Sequence, residues 1–141
     1  MRQRLDLCFR LLPPDTNARA PDVVDFLRAL KETLGGPLTV LWDRHGIHRK
    51  ADVVQAYLAQ HPEVVTEDFP GYAPELNPDE QVWNWTKNGP LANRPAEDTD
   101  WLFNQLIDSL TELQQRPDLL AGFIEHSGLQ LTEEQCLANA A

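Results

Sequence analysis

The run Leu38-Thr39-Val40-Leu41-Trp42 constrains the fold of this chain more than any other segment. Gly35-Gly36-Pro37 interrupts the chain before it, and Asp43 follows it directly. A short apolar run of this kind reads as a central strand covered by helices on both faces, as in a parallel sheet. The flanking segments supply such helices. Upstream, Pro21-Asp22 suit a first helical turn, and Val23, Phe26, Leu27, Leu30 and Leu34 recur at spacings of three and four, a single apolar stripe. Gly35-Gly36-Pro37 ends that helix. Downstream, residues 49–60 predict a second helix with Val53, Val54, Tyr57 and Leu58 inward, stopped by His61-Pro62.

Two more segments read as strands. Residues 4–12 alternate, with Leu5, Leu7, Phe9 and Leu11 on one face and Asp6, Cys8 and Arg10 on the other. Pro13-Pro14-Asp15-Thr16-Asn17 breaks that pattern. Val64-Val65-Thr66-Glu67-Asp68-Phe69 is the other strand, and Pro70-Gly71-Tyr72-Ala73-Pro74 forms a rigid loop after it. A helix starts at Asn77-Pro78 and ends at Asn88-Gly89-Pro90. A long helix spans 97–115 with Leu102, Leu106, Leu110 and Leu113 on one side, and Arg116-Pro117-Asp118 restarts a shorter one with Leu119, Leu120, Phe123 and Ile124. Strand and helix alternate along the chain, so the expected architecture is α/β with a parallel component. At 141 residues, one domain over 1–131 and a disordered tail over 132–141 are expected.

No apolar run approaches the roughly 18 residues of a membrane span, and the first residues lack a signal-peptide core. A cytoplasmic protein is expected, with Cys8 and Cys136 as reduced thiols. The formal net charge is −10, from 12 basic and 22 acidic side chains. Nucleic-acid affinity draws mainly on phosphate neutralisation, so tight DNA binding by this chain alone is not expected. The single local basic cluster is Arg44, His45, His48, Arg49 and Lys50, beside Asp43.

Two carboxylates stand at positions suited to chemistry. Asp43 closes the apolar strand, and Glu80 lies in the first turn of the helix that begins at Asn77-Pro78. A carboxylate at a strand end and another at a helix start could share a divalent cation. The bland alternatives are sound: Asn77, Pro78 and Glu80 fit the N-cap, N1 and N3 of a capping box, and Asp43 fits a loop start. His48, five residues after Asp43, could be a metal ligand or a proton carrier but reads first as a residue that orients the Asp43 loop, and His45 as a surface residue. His61 and His126 suit helix ends. Glu67-Asp68 and Glu133-Glu134 read as solvated charges. Trp83 and Trp85 read as packing residues, and being two apart they do not share a helical face, so one of them should be more exposed. No P-loop, dinucleotide fingerprint, nucleophile elbow or zinc-ligand spacing is present.

Leu41-Trp42-Asp43-Arg44-His45-Gly46-Ile47-His48-Arg49 and Phe69-Pro70-Gly71-Tyr72-Ala73-Pro74-Glu75-Leu76-Asn77-Pro78-Asp79-Glu80-Gln81-Val82-Trp83 closely resemble the second and third motifs of mariner-like bacterial insertion-sequence transposases, members of the DDE superfamily of endonucleases. The resemblance implies a ribonuclease H-like α/β fold with a mixed sheet flanked by helices. It implies Asp43 and Glu80 as the second and third acidic residues of a catalytic, metal-binding triad, with His48 and Asn77 in support. It further implies Mg²⁺ or Mn²⁺ as cofactor, two ions about 3.5–4 Å apart driving phosphoryl transfer on DNA, and Arg44, Arg49, Lys50 and Lys87 as DNA-facing cations.

The family's first aspartate has no match. Asp6 is the single acidic residue of the 4–12 strand, and its place in the order differs from that aspartate's. The first strands of the fold and the helix-turn-helix that precedes them in the family are unmatched as well. The expectation is therefore a C-terminal part of a transposase catalytic domain, truncated or split, with incomplete activity. The alternative is a non-catalytic oligomerisation or regulatory module derived from a transposase, forming homo-oligomers or pairing with a full-length copy.

Overall fold

The computed structural model describes residues 5–49, 51–89, 91 and 99–129. The described residues divide into two compact units, one within residues 8–73, the other comprising residues 5–7 and those within 74–129.

The first unit is α/β. Helix α1 (Ala20–Leu34) starts where Pro21 needs no amide donor and Asp22 Oδ2 accepts from the Arg19 N–H at 2.9 Å. It ends at Gly35, which adopts φ 65° and returns its N–H to the Lys31 carbonyl at 3.0 Å. Strand β1 (Leu38–Trp42) pairs in parallel with β2 (Val64–Asp68), Leu38 opposite Val64 and Trp42 opposite Asp68. Between them run the short α2 (Gly46–Arg49) and α3 (Asp52–Gln60). Val23, Phe26, Leu27 and Leu30 of α1, Val40 and Trp42 of β1, Val54 and Tyr57 of α3 and Val64 of β2 form one buried cluster. Lys31 of α1 pairs with Glu63, just before β2, and this contact holds the Glu63 carboxyl below its ordinary range.

The second unit is helical among its described residues. A 3₁₀ turn over Pro74–Leu76 leads into α4 (Pro78–Asn88), followed by α5 (Thr99–Gln114) and α6 (Pro117–His126). Pro78, Val82 and Thr86 form the buried stripe of α4. Leu110 and Leu113 of α5 and Leu120 and Ile124 of α6 are buried as well. Gln114 Nε2 donates to the Leu7 carbonyl at 2.7 Å, anchoring the start of the described chain.

Several expectations change. Residues 5–12 form no strand; Leu7 is buried, but a strand exists by pairing, and the alternation carries no information about a partner. Among the described residues the sheet has two parallel strands, not the expected mixed sheet. Strand β1 buries only one face: Leu38, Val40 and Trp42 are buried while Thr39 is exposed. The helix expected over 49–60 is two pieces, and Val53 points outward, 43% exposed, because the α3 stripe runs through Val54 and Tyr57. Leu102 is exposed as α5 begins, and Trp83 and Trp85 are both half-buried. Pro90, residues 97–98, Cys136 and the tail over 132–141 lie outside the described residues. No helix among the described residues is long and apolar enough to cross a membrane.

Candidate active site

Asp43 leaves the C-terminal end of β1 and is built into a short relay. Its Oδ1 accepts from the His45 N–H at 2.9 Å, closing an Asx turn, and from His48 Nδ1 at 2.8 Å. A carboxylate offers only acceptors here, so His48 carries its proton on Nδ1. The imidazole is stacked on Trp42, with centroids 5.0 Å apart and planes 6° from parallel. The Trp42 indole N–H in turn donates to Asp68 Oδ1 at 3.1 Å, across the β1–β2 register. Asp68, expected to be merely solvated, thus locks the indole against which His48 lies. The His48 side chain is only 13% exposed while that of Asp43 is 60% exposed. Among the described residues no hydrogen bond or ion pair reaches Asp43 Oδ2.

Arg44 is partly committed to structure. Its Nε donates to the Phe69 carbonyl at 3.1 Å, and a Cβ placed on Gly71 would stand 3.8 Å from its Nη1. The Phe69 N–H donates to the Trp42 carbonyl at 2.8 Å. Both polar groups of the Phe69 backbone are therefore held by the two neighbours of Asp43.

Glu80 sits in the other unit, exposed in the first turn of α4. Asn77 is the N-cap, its Oδ1 accepting from the Asp79 N–H at 3.1 Å. The expected capping box does not close. The Asn77 N–H already donates to the Pro74 carbonyl at 3.0 Å, so the amide that Glu80 would reach is taken. The Glu80 side chain makes no hydrogen bond or ion pair among the described residues, while its backbone N–H is fixed by the Asn77 carbonyl at 3.1 Å. The carboxylate is held in place by its helix yet not spent on it.

Lys87 is exposed in the last turn of α4. Arg49 closes α2, and its side chain, like Lys50 as a whole, lies outside the described residues. His45 is exposed and accepts from the Ile47 N–H at its own Nδ1. His61 closes α3 with its Nδ1 on the Tyr57 carbonyl at 2.9 Å, and His126 lies in the last turn of α6, both as expected of helix ends. Asp43 and Glu80 each present oxygen donors of the kind that hard divalent cations take. Among the described residues, no group of three or more His, Cys, Asp and Glu is arranged to hold a metal ion by itself.

A family model described as DDE superfamily endonuclease matches residues 9–102, more than half of the 141 residues and a span that contains both Asp43 and Glu80. The chain belongs to the DDE superfamily of endonucleases. The helices and the small parallel sheet fit such a domain, and the membership carries a transposase-like nuclease function on DNA as its general sense. No curated protein and no solved structure matches the chain.

Two features of this chain are not legible in the sequence. One is the Asp68–Trp42–His48 extension of the expected His48–Asp43 contact. The other is Tyr72, which is fully exposed and adopts φ 57°. Its place between Gly71 and Ala73 gave no hint that the tyrosine itself takes the left-handed conformation.

Proposed function

We propose that this chain is the part of a mariner-like insertion-sequence transposase catalytic domain that carries the second and third acidic residues, Asp43 and Glu80, on a ribonuclease H-like framework. The observation that carries the reading is the state of the two carboxylates among the described residues: Asp43 is oriented through Oδ1 with no partner at Oδ2, and the Glu80 side chain makes no hydrogen bond while its backbone N–H is fixed.

In this reading both carboxylates are oxygen ligands for Mg²⁺ or Mn²⁺. Such ions, when bound, activate an attacking oxygen and stabilise the leaving one at a phosphodiester. The residues of the chain do the rest. His48, stacked on Trp42, holds Asp43 Oδ1 by a hydrogen bond and so fixes the orientation of the carboxylate that would take the ion. Asn77 caps α4 and so sets the direction in which Glu80 leaves the first turn. Arg44 holds the Phe69 backbone and positions the loop beside Asp43, a role nearer to the site than the phosphate contact expected of it. Lys87, with Arg49 and Lys50, remains a candidate for DNA contact.

No residue here matches the triad's first aspartate, so we infer low turnover by this polypeptide alone. The test is Mn²⁺-dependent nicking of terminal-repeat DNA. Weak or absent nicking is expected, any residual activity vanishing in Asp43→Asn and Glu80→Gln. Robust turnover would reject the incompleteness, and turnover that survives either substitution would reject the site.

A further inference from the structure

Tyr72 is the one large hydrophobic side chain among the described residues whose exposure is complete, at 106% of its reference area. It also adopts φ 57°, the left-handed region that L-residues other than Asn and Asp rarely enter. Such a conformation persists only where the surroundings enforce it. Here they do. Phe69 is clamped to Trp42 and Arg44 on either side of Asp43, a Cβ at Gly71 would come within 3.8 Å of Arg44 Nη1, and Pro70 and Pro74 restrict the backbone on both sides. A rigid loop thus holds a solvated aromatic ring three residues beyond a backbone locked to the neighbours of Asp43. Nothing in the packing of the unit requires the ring there.

We propose that Tyr72 is a DNA-positioning residue that stacks on an unpaired nucleobase next to the phosphodiester handled at Asp43, an inference that rests on the functional reading above. The ligand class comes from that reading. The net charge of −10 opposes the phosphates, so affinity for a nucleotide at this loop falls to an aromatic face, which stacks on any base. A protein partner is the competing occupant, and the experiment separates the two.

The test is equilibrium binding of a short single-stranded oligodeoxynucleotide containing 2-aminopurine, read by its fluorescence at low salt in Ca²⁺, with the full chain. The parent is expected to quench the probe, with a shallow dependence on salt. Tyr72→Asn keeps a residue that tolerates the left-handed turn but removes the ring. It is expected to weaken binding about 5- to 150-fold, the range of one lost base–aromatic stack, with unchanged circular dichroism, while Tyr72→Phe binds as the parent does. Equal binding by Tyr72→Asn, or no binding by the parent, overturns the proposal. So does a Tyr72→Asn variant whose only change is in self-association, which would assign the ring to a protein contact. Mn²⁺ titration of Asp43→Asn and Glu80→Gln is independent of the ring: unchanged metal affinity there would sink the metal-site reading, and an unchanged oligonucleotide affinity in Tyr72→Asn would sink this one.

Discussion

At the scale of single residues, function in this chain rests on which polar atoms are left over once the local structure is satisfied. Asp43 gives Oδ1 to the His45 amide and the His48 ring, and the Glu80 carboxylate makes no hydrogen bond among the described residues. His48 acts through Asp43, as second-layer partners of metal-binding carboxylates commonly do. His48→Ala is expected to weaken Mn²⁺ binding by roughly tenfold, the lower end of what such partners contribute. His48→Asn, whose amide can still donate to Oδ1, should recover part of the loss. Calorimetric titration checks both, and an unchanged affinity in His48→Ala would remove the histidine from the site. The sequence motifs made Asp43, Glu80 and His48 legible as candidates. They could not show that the Glu80 carboxylate stands clear of the capping box, because that depends on the Asn77 amide having already found the Pro74 carbonyl.

At the scale of elements, punctuation was read well and pairing was not. Pro21, Gly35, Pro78 and Gly89 sit at helix ends as their backbone chemistry requires, and β1 and β2 fall where apolar runs are bounded by turn residues. Strand pairing over residues 5–12 was misread, because alternation reports which side chains share a face and not whether a neighbour is there to bond. Cap energetics give a direct check on α4. Asn77→Ala is expected to cost about 1 kcal/mol in denaturant unfolding, and Asn77→Asp much less. Glu80→Gln, which removes no cap bond, should stay within about 0.5 kcal/mol of the parent; a larger loss would return Glu80 to a structural role. The Lys31–Glu63 pair ties α1 to the entry of β2 and lowers the Glu63 carboxyl below its ordinary range. A carboxyl depressed by folding contributes stability that is present above its unfolded pKa and lost as pH falls through the folded value. Glu63→Gln should therefore flatten the fall in melting temperature on the acid side of about pH 4, where an unfolded glutamate titrates. An unaltered acid limb in the variant would mean that the pair contributes nothing.

At the scale of the whole molecule, two compact units each bury their own apolar residues, and each carries one of the two carboxylates singled out by the motifs. The division was not legible in the sequence, where no linker composition separates residue 73 from residue 74; the rigid Pro70–Pro74 stretch reads equally as a loop within one body. Membership of the DDE superfamily rests on a match over residues 9–102 and does not by itself assign a ligand role to either residue. The central claim is that Asp43 and Glu80 bind a divalent cation, and the most direct measurement is calorimetric titration of Mn²⁺ into the full chain and into Asp43→Asn and Glu80→Gln. Each substitution is expected to lower the affinity roughly tenfold or more without changing the circular dichroism spectrum. Affinities in both variants equal to that of the parent would contradict the account.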